Sequence, residues 1–203
     1  MNDNRKFWDR FASIYEKVQL KNSDSKIFYA VLANLIMRQL KPEDTVLELA
    51  MGPGILTGRI AAGCRTLYAT DYSEAMVNEA KKKELPDNVI CEQADATNLC
   101  YGAGMFDAVI IANALHIMPD PDAAVSEIKR VLKPDGLLIA PTYLREKPSF
   151  KVKLMNLAGF KTMHSWTEET YLQFLENNGL EIIFRTLLDD HGMTECFAVC
   201  RKK

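Results

Sequence analysis

The chain has little of what marks the special protein classes. Its 203 residues carry a formal net charge of −2, so no basic excess points to nucleic acid or to an anionic membrane surface. Five cysteines, Cys64, Cys91, Cys100, Cys196 and Cys200, form no C-x-x-C pair, and the three histidines do not stand at zinc spacing from them. They read as reduced core thiols, and no bound metal is expected. The most apolar stretch, Phe106 to Met118, is too short to cross a bilayer and contains Asp107, Asn113 and His116. No membrane span is expected. Met1 to Lys6 leads into no apolar run, and together with the odd cysteine count this gives a cytoplasmic setting. The run Lys81-Lys82-Lys83 reads as the solvated end of a helix.

What is present is an ordinary globular composition, 48% hydrophobic and 26% charged, long enough for a single domain over 1–203. Ile27, Phe28, Val31, Leu32, Leu35, Ile36 and Leu40 recur at helical spacing, and Phe7, Trp8, Phe11, Ile14, Tyr15 and Val18 do so before them. Residues 1–40 are therefore expected to be helical, the first segment forming a lid. From Thr45 the pattern changes to short apolar runs without strict alternation: Val46–Ala50, Thr66–Thr70, Val89–Glu92, Phe106–Ala112 and Leu137–Pro141. Such runs suit strands covered on both faces. Helical periods separate them at Thr57–Ala62, Ser73–Leu85 and Asp122–Leu132, which predicts a doubly wound, mostly parallel α/β sheet.

Punctuation supports these bounds. Pro119-Asp120-Pro121-Asp122 starts a helix, and Lys133-Pro134-Asp135-Gly136 reads as a stop and a turn. A helix over Trp166–Asn178 has a capping-box pattern in Ser165 and Glu168 and a terminating Gly179. Glu181–Leu188 and Glu195–Val199 are joined by too short a loop to be anything but antiparallel. The division is then a lid at 1–40, a ligand-binding core at 45–141, a substrate-side insert at 142–165, and a helix with a terminal hairpin at 166–203.

The chemistry concentrates in Val46-Leu47-Glu48-Leu49-Ala50-Met51-Gly52-Pro53-Gly54. A buried strand that runs through glycines into a helix brings backbone N–H groups close to a ligand at the carboxyl edge of a sheet. Asp71 follows Gly52 by 19 residues, near the ~20-residue interval at which an acid meets a ribose diol. A tight connection without a ligand, and a helix cap at Asp71, are the plainer roles. The nicotinamide fingerprint G-x-G-x-x-G fails, because Thr57 stands where its third glycine belongs and Gly58 comes one residue late. Glu48 would repel a pyrophosphate and suits a ligand with a cationic end.

On these residues the chain resembles the class I S-adenosylmethionine-dependent methyltransferases, in particular the ubiquinone/menaquinone-biosynthesis-like small-molecule group. Val46–Gly54 is similar to that family's first motif, and Ala69-Thr70-Asp71-Tyr72-Ser73-Glu74-Ala75-Met76 to its ribose motif. Gln93-Ala94-Asp95-Ala96 resembles its adenine motif. Phe106–Val109 through Asn113-Ala114-Leu115-His116, and Leu132–Gly136, resemble its fourth-strand and fifth-strand motifs. The resemblance implies a Rossmann-like, seven-stranded sheet with a C-terminal antiparallel hairpin, and S-adenosylmethionine as cofactor. Gly52 and Gly54 would line its methionine and ribose portion, Glu48 would orient its α-amino group, and Asp71 would hold the diol. Tyr72 and Met76 would flank the adenine, with Asp95 and the Ala96 N–H bonding its edge. Asn113 and Ala114 would contact the methionine moiety, and Tyr15 matches an aromatic of the lid. One residue departs from the pattern: Ala50 stands where the family has a glycine. Either the backbone there is ordinary or the pocket is altered.

A sulfonium methyl is already electrophilic, so direct in-line displacement needs alignment more than a covalent nucleophile. For an acceptor with a proton to lose, His116 is the best-placed base by sequence and Tyr143 a second candidate, with His164 and His191 behind them. The alternatives are a cofactor-binding regulator of the same fold that transfers nothing, and a dehydrogenase. The expected partner is a small-molecule acceptor acted on by a monomer or homodimer. A quinone precursor, phospholipid head group, metalloid or polyketide all fit.

Overall fold

Five of the apolar runs become the parallel strands β1 (Thr45–Leu49), β2 (Thr66–Asp71), β3 (Val89–Gln93), β4 (Phe106–Ile111) and β5 (Leu132–Ile139), arranged β3-β2-β1-β4-β5. The structure is a computed structural model that describes residues 4–144, 163–190 and 192–202. Around these strands lie α1 (Arg5–Gln19), α2 (Ser23–Met37), α3 (Thr57–Ile60), α4 (Glu74–Lys81), α5 (Pro121–Val131) and α6 (Glu168–Asn177). The two-residue β6 (Thr142–Tyr143), β7 (Leu180–Asp190) and β8 (Met193–Lys202) complete the sheet.

Side chains alternate along each strand, and here both faces are covered. Val46, Ala108 and Ile110 face Phe28, Leu32 and Ile36 of α2, Ile60 of α3, and Val77 and Ala80 of α4. Leu47, Leu49, Val109 and Ile111 face Ala124, Val125 and Ile128 of α5 and Tyr171 and Leu175 of α6. That double covering is why the strands read as unbroken apolar runs. The chain reverses direction across the sheet between β1 and β4, and in such sheets ligands bind in the crevice beyond the carboxyl ends at this reversal.

The C-terminal hairpin extends the sheet. β8 runs antiparallel to β5 and β6 on one side and to β7 on the other. β6 lies in line with β5 along β8, bridged by the bond from the Ala140 N–H to the Ala198 carbonyl at 2.9 Å. The eight strands of the described residues thus occupy seven rows. Because β8 is antiparallel, its first residues stand at the carboxyl edge of the parallel strands, beside the end of β7.

Several expectations are corrected. The stop at Lys133–Gly136 is an irregularity inside β5, where the register against β4 shifts and Asp135 takes φ +63°. The α6 capping box is formed by Thr167 and Thr170, because the Glu168 carboxylate pairs with Arg185 of β7 instead. Cys64, Cys196 and Cys200 are buried, but Cys100 is exposed and so is no core thiol. Thr142 and Tyr143 of the expected insert belong to the sheet, while 145–162 lies outside the described residues. Lys83 is no idle solvated charge, since it pairs with Glu16 of α1 at 2.7 Å.

Candidate active site

The strand-to-helix loop after β1 is bent by three left-handed residues: Ala50 at φ +54°, Gly52 at +58° and Gly54 at +77°. Ala50 therefore keeps a conformation natural to glycine, and strain of this kind collects at ligand sites. A side chain on Gly52 would meet open space, whereas one on Gly54 would touch Ala80 and Thr57 at 3.4 Å. Glycine serves backbone shape at both positions, with less room around the second.

The loop and the acid of β2 are joined directly. Asp71 Oδ2 accepts the Gly52 N–H and Oδ1 accepts the Ser73 N–H, both at 2.8 Å. Burial pushes the Asp71 carboxyl up to about 6 against the pull of these two bonds, and Asp9 raises it further. Asp71 is not the helix cap. That role falls to Ser73, whose hydroxyl accepts the Met76 N–H at the start of α4 and donates to Asp9 of α1 at 2.6 Å. Glu48, only 2% exposed, is raised to about 8 by burial, with the Thr57 hydroxyl lowering it somewhat. Among the described residues its Oε2 has no hydrogen-bond partner.

Helix α1 crosses this edge. Asn4 Nδ2 bonds the Ile117 carbonyl at 3.3 Å, Asp9 holds Ser73, and Glu16 holds Lys83. Tyr15 lies near Asp71, and burial raises its hydroxyl despite hydrogen bonds from Gln19 and Tyr29. Arg5 sits over the Tyr72 ring, 5.4 Å from its centre. Tyr72 is 40% exposed and Met76 is buried, both on the turn into α4. Asp95 uses Oδ1 to accept the Thr97 N–H and hydroxyl at 2.8 and 2.7 Å, with the buried Ala96 between them.

A second polar group forms beyond β4. Asn113, at φ +55°, donates from Nδ2 to Glu195 Oε2 at 2.7 Å, and Ala114 beside it is buried. Tyr143 donates to Asp190 Oδ2 at 2.6 Å. Burial raises Tyr143 and Tyr29, and the neighbouring acids Glu195 and Asp190 raise both further. His116 Nδ1 stands 3.1 Å from the Thr142 hydroxyl, and burial with His164 nearby lowers its pKa to about 4. His164 instead stacks on Trp166 and bonds the Met118 carbonyl at 3.1 Å, while His191 lies outside the described residues. Among the described residues no cluster of metal-ligating side chains occurs, and no helix is long and apolar enough to cross a membrane.

The structure thus gathers Tyr15, Glu48, Ala50, Gly52, Gly54, Asp71, Tyr72 and Met76 around one reversal point. Asn113, Ala114, His116 and Tyr143 lie on its β4 flank. Reading the sequence missed Asp9, Ser73, Tyr29, Asp190 and Glu195. Glu195 alone carried a signal, as an acid opening an otherwise apolar strand.

Residues 47–140, from β1 to the end of β5, match the methyltransferase-domain family. Over this segment, a little under half of its length, the chain is similar to methyltransferase domains. Over 99 residues the chain is 38% identical to an uncharacterised chloroplastic methyltransferase of Arabidopsis thaliana, covering 45% of this chain and 28% of the relative. Over 101 residues it is 35% identical to the demethylmenaquinone methyltransferase of Mycolicibacterium vanbaalenii, covering 50% and 42%. The chain thus spans less than half the length of either relative. The methyltransferase fold extends past the matched segment. The structure of the methyltransferase CalH in complex with S-adenosylhomocysteine superposes with a TM-score of 0.69 at 22% identity, over 92% of this chain and 61% of that one.

Proposed function

We propose that this chain transfers the methyl group of S-adenosylmethionine to a small-molecule acceptor by direct in-line displacement. The observation that carries the proposal is the Asp71 carboxylate, held by the Gly52 and Ser73 N–H groups with the lid tyrosine Tyr15 beside it. Two carboxylate oxygens offer about four acceptor positions, more than these backbone N–H groups occupy, which leaves lone pairs for the hydroxyls of a ribose. The unpartnered Glu48 Oε2 suits the ammonium of the same ligand, and the open space over Gly52 admits its backbone approach. The residues fit this cofactor, which when bound supplies an electrophilic sulfonium methyl.

The protein's part is orientation and exclusion of water. Asp71 and Glu48 fix two ends of the ligand, Tyr72, Met76 and Asp95 border the place for its base, and α1 covers the edge. Well-oriented proximity contributes on the order of 7 to 11 kcal/mol to such reactions. His116 is neutral at physiological pH and weakly basic, so it suits a hydrogen-bonding role toward the acceptor better than that of a strong base.

The test is calorimetric titration with S-adenosylmethionine and S-adenosylhomocysteine, followed by tracking of methyl label into a metabolite extract. Saturable binding with label transfer is expected. Binding without transfer would leave a regulator of the same fold, and tighter binding of NAD would favour a dehydrogenase.

A further inference from the structure

Beyond β4 the carboxyl edge holds two buried acceptor atoms that none of the described residues satisfies: Asn113 Oδ1 and Glu195 Oε1. They belong to one hydrogen-bonded pair, since Asn113 Nδ2 is spent on Glu195 Oε2. Glu195 is 0% exposed, and among the described residues no lysine, arginine or histidine pairs with it. Buried polar atoms are nearly always bonded, and a carboxylate oxygen left without a partner is costly. A site that keeps two such atoms is built for a donor that arrives from outside.

The donor's chemistry follows from counting protons. An amide oxygen and an ionised carboxylate oxygen only accept, so the pair, once Glu195 is ionised, takes two protons from its visitor. A primary amine brings two or three, a hydroxyl brings one, and a carbon nucleophile brings none that is strong enough. The position selects which molecule carries the amine. Glu48 on β1 already stands free beside the glycine loop, whereas Glu195 on β8 lies beyond β4 and β5, opposite Tyr143 of β6.

Resting on the methyltransferase reading, we propose that the Asn113–Glu195 pair binds a primary amine of the methyl acceptor, with Asn113 Oδ1 and Glu195 Oε1 each taking one of its N–H hydrogen bonds. Glu195 also serves as the amine's base. An arriving R–NH3+ gives one proton to the ionised carboxylate, leaving a neutral carboxyl and R–NH2, whose lone pair becomes available once the nitrogen turns away from the carboxyl O–H. Burial raises Glu195 to about 8, with Asp190 on β7 adding to the rise and Asn113 opposing it. Tyr143 on β6, Tyr29 on α2, Tyr171 on α6 and the adjoining Cys196 are titratable groups that feel the charge of Glu195. A base in that range is matched to a proton exchange near neutral pH.

Glu195→Gln tests this, because the amide can keep the bond from Asn113 through its oxygen while turning a donor toward the free position. Wild type and variant, both loaded with S-adenosylhomocysteine, are titrated with methylammonium, benzylammonium and phenethylammonium chlorides and with the matching alcohols. At least one ammonium should bind wild type ten times more tightly than its alcohol, with the preference rising toward pH 8 and absent from the variant. Affinity for S-adenosylhomocysteine and for 5′-methylthioadenosine, which lacks the amino-acid end, should stay within threefold. No ammonium preference in a wild type that binds S-adenosylhomocysteine overturns the proposal, as does a preference that survives in a folded variant. A tenfold loss for S-adenosylhomocysteine alone would assign the pair to the cofactor's own ammonium and overturn the acceptor role. Failure of wild type to bind S-adenosylhomocysteine at all would instead remove the methyltransferase reading.

Discussion

The two halves of the carboxyl edge are built by different means. On the β1–β2 side the groups come from two consecutive strand-to-helix connections, and backbone N–H groups fix the Asp71 side chain directly. On the β4–β8 side they come from residues far apart in the chain, such as Asn113 and Glu195, 82 positions distant, and side chains fix one another. A site made of local backbone geometry tolerates side-chain change around it. A site made of side-chain pairs across the sheet can be altered one residue at a time, which suits a half that must distinguish acceptors.

The largest expected effect concerns the buried carboxyls, one in each half. Glu48 and Glu195 are both raised to about 8 by burial, so the folded protein holds their protons more tightly than the unfolded chain does. Their contribution to stability is complete below about pH 4.5 and is lost as pH rises through about 8. His116, lowered to about 4, acts only between that value and its ordinary 6.5. Between pH 6.5 and 8.5 the ligand-free protein should therefore lose on the order of a few kcal/mol. Chemical denaturation of the double variant Glu48→Gln, Glu195→Gln should give a much flatter profile. Equal slopes would show that the two halves do not share this strain.

Next comes Asp71→Ala, which should weaken S-adenosylmethionine binding by about 1 to 3 kcal/mol while leaving ammonium binding at Asn113 and Glu195 intact. Calorimetry on both ligands checks it, and a loss on both sides would erase the division between the halves. The smallest effect is expected from Ala50→Gly. Relief of the left-handed strain outweighs the added freedom of the unfolded chain by about 0.5 kcal/mol, a rise of about 2 °C in Tm. A fall in Tm would mean that the alanine methyl has packing of its own.

The same difference decides what the sequence reveals. The sheet, its order of elements and the Gly52–Asp71 relation are legible because each follows from residues within one strand-loop-helix unit, where periodicity and turn chemistry act locally. Even there the partner of Asp71 was not foreseeable, since a glycine N–H leaves no trace in composition. Glu195 was hidden for another reason: only the register of β8 against β5 and β6 brings it to Asn113, and register is settled by tertiary pairing. The lid contacts through Asp9, Ser73 and Lys83 were obscured because charged and hydroxyl residues on a helix surface look alike whether they face water or a neighbour. The α6 cap shows how two overlapping signals compete, Glu168 being drawn away by Arg185.

The hydroxyl of Ser73, shared between the start of α4 and Asp9 of α1, links a movement to a proton. Asp9 raises the proton affinity of Asp71 while α1 lies in place, and by thermodynamic reciprocity an ionised Asp71 must weaken the hold on α1 to the same degree. The helix over the cleft is thus tethered most firmly below about pH 6 and more loosely above it. Traffic through the cleft and the charge of its floor are two readings of a single equilibrium.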